Sequence, residues 1–128
     1  MNRARARAGA LAAAAVVVAT ATPAMASNDT VPVRSRAVRL AVLQAGSGNP
    51  LDFAPLRCWA VHRYVGAPSW FAYWAPGTKP GCHGADGATV VHRTSSGYRI
   101  VTGGSYAPDV CQDLRRAPAP VRAAWGCG

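Results

Sequence analysis

Four cysteines, Cys58, Cys82, Cys111 and Cys127, constrain the fold of this 128-residue chain more than any other feature. An even count in a small chain bound for an oxidising compartment reads as two disulfides. There is no CxxC, and no histidine stands at zinc-finger spacing from a cysteine pair, so metal binding is a poor rival. Three pairings are open, and the sequential one is favoured. Cys58–Cys82 would tie the ends of an aromatic hairpin, and Cys111–Cys127 would clip a helical C-terminal region. In the chain-entropy model loops of these sizes stabilise by about 3 kcal/mol each. That is a large part of the total of about 5–15 kcal/mol that a small domain has.

The N-terminus supports an oxidising destination. "MNRARAR" carries Arg3, Arg5 and Arg7 and no acid, "AGALAAAAVVVATA" is apolar, and "TPAMA" ends in the small-x-small pattern Ala24-Met25-Ala26. Residues 1–26 are read as a Sec signal peptide cleaved after Ala26. The run is too short and Ala-rich to serve as a membrane span. No cysteine follows it for a lipid anchor, and the arginines form no twin pair. The expectation is a secreted, extracellular protein with no membrane contact after cleavage. Residues 27–36 read as a flexible lead-in, and 37–128 as a single small domain.

The mature chain keeps eleven basic and five acidic residues, a net charge of +6. All the acids are Asp, and Lys79 is the single lysine. The abundance of Ala, Arg, Gly and Pro matches the codon bias of a high-GC genome. A positive exported protein is drawn to anionic polymers. The arginines are scattered and never form a run of five, so a specific nucleic-acid site is not expected.

"RSRAVRLAVLQAG" reads as a helix, with Ala37, Leu40, Ala41 and Gln44 on one face, Val38, Val42 and Ala45 beside it, and Gly46 as its C-terminal stop. "LDFAPL" reads as irregular. Strand signals follow at 57–65, 69–75, 88–94 and 98–103, separated by "GAPS", by the Pro/Gly-rich 76–87 and by "SSG". Two short helices close the chain, at 109–116 with Asp109 as N-cap, and near 119–125 with Pro120 in its first turn. The predicted fold class is α+β, a four-stranded antiparallel β-meander with an N-terminal helix and short C-terminal helices.

The strand "SWFAYWA" is apolar on both faces: Trp70, Ala72 and Trp74 on one, Phe71, Tyr73 and Ala75 on the other. Two readings follow. Either the rings build a small core, with Trp59 and Trp125 folding over the second face, or one ring row is exposed and binds a ligand. Carbohydrate suits such rings, since sugar C–H faces stack on flat aromatics. The candidate binding residues are Trp70, Tyr73, Trp74 and, in the loop, Lys79.

Chemistry has fewer candidates. "CHGAD" places His83 and Asp86 in one glycine-rich loop, an acid/base pair in principle. Asp before Gly is equally ordinary turn chemistry. His62 and His92 sit in strands and are candidate neighbours across the sheet. There is no GxSxG, HExxH or phosphate loop, and the chain has no Glu. No catalytic residue, metal or cofactor is assigned.

The "GYRIV" strand and the ending "CQDL…APAPV…WGC" resemble small secreted disulfide-containing proteins of high-GC Gram-positive bacteria over residues 57–128. There an aromatic-arginine strand is followed by Cys, Leu, a Pro-Val helix and a final Cys. The resemblance implies a disulfide-clipped tail rather than an activity. The chain departs from it in ending "AAWGCG" where Leu-Gly-Cys is usual. Small secreted inhibitors offer an analogy of size and class only, with "PGTKPGC" as the presented loop.

The reading is therefore a secreted, monomeric, non-catalytic binding protein, whose partner is an anionic cell-wall polymer or a secreted protein. The alternatives are an enzyme inhibitor acting through loop 76–87 and a small hydrolase using His83 and Asp86.

Overall fold

The computed structural model describes residues 29–103 and 109–128. The expected signal peptide at 1–26 and its cleavage after Ala26 lie outside these residues. Five strands run in sequence order as one antiparallel meander: β1 (Thr30–Pro32), β2 (Ala60–Tyr64), β3 (Ala67–Trp74), β4 (Thr89–Thr94) and β5 (Gly97–Thr102). The sequence predicts four. The fifth is β1, inside the stretch read as a lead-in. Three residues ending in proline carry no alternation to read. Pairing with β2 decides their conformation: Val33 N–H donates to Val61 O, Val65 N–H donates to Asp29 O, and Thr30 Oγ1 shares a 2.9 Å hydrogen bond with His62 Nδ1.

β2 and β3 join through the two residues Val65-Gly66, because Tyr64 pairs with Ala67. The turn is tighter than "GAPS" suggests. Gly66 has φ 83°, a left-handed conformation that costs glycine little and a branched residue much.

Both faces of the sheet are covered, where the meander alone predicts one. Helix α1 (Arg36–Leu43) lies over β2, β3 and β5, and helix α3 (Ala119–Ala124) over β3, with α2 (Val110–Asp113) against β5. Val42, Leu43, Val61, Phe71, Tyr73 and Val91 form the core under α1, with Trp59 and Leu56 packed against it. Tyr64, Trp70, Ala72, Val90, Leu114 and Val121 belong to the core under the C-terminal helices, with Trp74 and Trp125 packed on it. Alternation along β3 sends successive rings into opposite cores.

Ser35 caps α1 by accepting from Val38 N–H at 3.2 Å. The buried stripe of α1 is Val42-Leu43 with Val38 beside it, while Ala37 and Gln44 are exposed, because valine and leucine remove more apolar area from water than alanine does. The helix stops at Leu43, ahead of the predicted glycine stop. Asp109 occupies the N-cap position of α2 but makes no capping hydrogen bond. Arg115 donates to Gln112 O at 2.8 Å, closing the end of that helix.

The bridges are Cys58–Cys82 and Cys111–Cys127, the sequential pairing. The first holds the long β3–β4 connection to the chain entering β2. The second holds the end of the chain beyond α3 to α2.

Among the described residues Tyr64 is the largest fully buried side chain, and its hydroxyl accepts from Trp125 Nε1–H at 2.8 Å. Burial is the main cause that pushes its pKa up to about 12, with the Asp29 charge adding to the rise and the Trp125 bond opposing it. The folded state therefore holds a proton that the unfolded chain releases from about pH 10. Stability present below pH 10 is expected to fall as pH climbs towards 12. Tyr64→Phe should cost about 1–2 kcal/mol at pH 7, because Trp125 loses its acceptor, and should flatten the alkaline decline. Urea unfolding at pH 7, 9.5 and 11 checks both, and an undiminished decline in the variant would remove Tyr64 as its source.

Candidate functional site

The end of β3 carries a recess. Trp74, Ala75 and Pro76 face the segment Gly84–Ala88 across a cavity of about 400 Å³. A second recess of about 220 Å³ shares Trp74, Ala75 and Ala85–Ala88 and adds Pro50, Trp59, Tyr73 and Thr89. The larger falls within the size range of small-molecule sites, about 300–1,000 Å³.

Local chemistry explains why the cleft forms there. Pro76 ends the strand. The chain returns so closely that a Cβ on Gly77 would sit 2.6 Å from Gly84 N, and Gly77 also has φ 73°. Ala85 N–H donates to Ala75 O at 3.0 Å and sets the facing wall. The far side carries Trp59, whose segment is held by α1: Arg39 donates to Leu56 O at 3.2 Å and to Trp59 O at 3.0 Å. Trp59 Nε1–H donates to Ala54 O at 3.1 Å. Phe53, Trp59 and Tyr73 form a chain of tilted and edge-on rings, 6.1 and 5.6 Å between centroids, with Phe53 exposed at the outer end. The cleft thus offers the half-buried Trp74 and Trp59, Thr89 and one carboxylate, the exposed Asp86. Aromatic rings beside hydrogen-bonding groups are a chemistry suited to polyhydroxylated rings.

The structure divides the residues singled out from the sequence. Trp74, Tyr73 and Asp86 meet at the cleft. Trp70 and Tyr73 are each 8% exposed, so of the two readings the rings of these residues follow the core one: the C-terminal helices cover Trp70, and α1 with Trp59 covers Tyr73. Lys79 lies elsewhere, beside Arg57 and Cys82, where its ammonium donates to Arg57 O at 3.2 Å. Arg57 in turn donates to Pro80 O at 2.9 Å, so the loop tip is tied back to the chain before β2. His83 is exposed and does not line the cleft that holds Asp86.

His62 and His92 are not neighbours. β3 runs between them, and each ring lies on a tryptophan of that strand: His62 on Trp74 at 4.7 Å, His92 on Trp70 at 4.1 Å with 12° between planes. Burial lowers the pKa of both, and the Arg99 charge lowers that of His92 further. Trp59 and Pro50 were not among the predicted binding residues. Trp59 was legible as a ring able to fold over the second face of the strand, where it packs against Tyr73, and Pro50 gave no signal.

No known protein family, curated protein or solved structure matches the chain.

Proposed function

We propose that this is an exported, non-catalytic binding protein that docks on the cell wall, with the cleft at the end of β3 taking a sugar ring. The observation that carries the reading is the half-buried Trp74 set beside the Asp86 carboxylate in an open recess. Trp74 packs on the core beneath the C-terminal helices and also lines the recess. The two disulfides suit an oxidising exterior, and the positive mature chain suits an anionic surface.

The experiment is sedimentation with purified wall polymer at rising salt. Part of the bound protein should stay bound at about 0.5 M salt, where exposed charges are screened. Trp74→Ala should lower that salt-resistant binding about five- to tenfold, the loss of a contact of about 1–1.5 kcal/mol. Its far-ultraviolet circular dichroism should keep the β-sheet signal. Complete release by salt, or retention unaffected by Trp74→Ala, would sink this reading.

A second reading, inhibition of a secreted enzyme through loop 76–87, draws support from the bracing of that loop by Cys58–Cys82 and Arg57. It predicts loss of inhibition on Lys79→Ala with the fold intact.

A further inference from the structure

Three arginines far apart in sequence line one groove. Arg34 stands between β1 and α1, Arg63 is on β2, and Arg93 is on β4. Sheet register brings the last two to one face. Arg63 is opposite Phe71 on β3, and Arg93 lies two residues from Val91, which is opposite Phe71 from the other side. The groove between them has a volume of about 870 Å³, larger than either recess at the end of β3. Its floor is Phe71 and Val33, both buried, and Ser35 at the start of α1 closes one end.

Charge makes this groove unusual. None of its lining residues is acidic. Among the described residues none of the three guanidiniums forms a hydrogen bond or an ion pair with the protein; Arg36, Arg99 and Arg116 share that freedom but do not line the groove, and Arg39, Arg57, Arg115 and Arg122 donate to backbone carbonyls. Three cations gathered without a counter-charge repel one another, and an anion in the groove relieves that repulsion. Guanidinium groups match the geometry of phosphate oxygens and bind them through paired hydrogen bonds.

We propose that the Arg34–Arg63–Arg93 groove binds the phosphodiester backbone of a linear polyol-phosphate polymer. A volume of about 870 Å³ with three guanidiniums from separate segments suits successive phosphates rather than one ion. Its apolar lining of valine and proline suits aliphatic carbons between phosphates. The groove's one aromatic, Phe71, is 3% exposed and offers no face on which a base stacks, which disfavours single-stranded nucleic acid. This deepens the wall-binding reading and rests on it only for the source of the polymer.

The test is titration of the disulfide-bonded protein with poly(glycerol phosphate) at 0.05–0.3 M salt. The affinity is expected to fall with salt with a log–log slope of about −2, as three phosphate contacts on a flexible chain require. The triple variant Arg34→Gln, Arg63→Gln, Arg93→Gln should bind about a hundredfold more weakly. A control triple of equal charge, Arg99→Gln, Arg115→Gln, Arg116→Gln, should lose less than about threefold. Thermal unfolding checks that the groove variant is folded, and Arg63→Gln alone, with an expected loss of about fivefold, decides the matter where the triple variant is not. Equal losses in the two triples, or no binding, would overturn the proposal. So would equal or tighter binding of a single-stranded DNA oligonucleotide, of vesicles with anionic headgroups, or of inorganic phosphate alone. Retention on phosphate-free wall glycan reads the Trp74 cleft and not the groove, so the two proposals fail separately.

Discussion

Reducing both disulfides is expected to unfold the domain at 37 °C without added denaturant. Each bridge removes conformational freedom from the unfolded chain. For sequence separations of 24 and 16 residues the chain-entropy model gives about 3 kcal/mol apiece. The two loops do not overlap in sequence, so the contributions should come close to adding. Their sum of about 6 kcal/mol rivals the whole stability of an ordinary small domain. The measurement is far-ultraviolet circular dichroism and urea unfolding, oxidised and reduced. Cys111→Ser with Cys127→Ser should take about half the effect alone. A reduced protein that keeps its β-sheet signal at 37 °C would show that the two cores suffice and that the bridges are accessory.

Trp70→Ala and Phe71→Ala should each destabilise by about 3–5 kcal/mol, the range for truncating a large buried ring. The two residues are adjacent on β3 and point to opposite faces. A sheet covered on one side predicts one severe variant and one mild one. Here both are severe, because Trp70 is 8% and Phe71 3% exposed, one under the C-terminal helices and the other under α1. Trp74→Ala, at a half-buried ring, should cost less than either, about 1–2 kcal/mol. Urea unfolding of the three variants separates core from site. A mild Trp70→Ala would mean that the C-terminal helices do not cap that face.

The ring pattern of "SWFAYW" was legible as a strand with two apolar faces, but not its surroundings. What covers each face depends on where α1, α3 and Trp59 dock, and nothing local to residues 69–74 encodes that. The lead-in was misread for the opposite reason: β1 has almost no pattern of its own and borrows its conformation from β2 through backbone hydrogen bonds. The histidines were placed on strands from local signals, but their partners are tryptophans across the ladder, set by register.

Cysteine number, turn chemistry and strand alternation are local properties. They sufficed for two bridges, an antiparallel meander and helices at both ends, because each acts over a few residues or through the entropy of a short loop. The sites are not local. Asp86 meets Trp74 and Trp59 because a loop folds back at Gly77, and Arg34, Arg63 and Arg93, scattered along the chain, converge because four strands and a helix start share one face. Side chains separated by tens of residues become neighbours only through packing. Tertiary structure alone therefore decided which rings are core, which ring is left at a cleft, and which charges act together.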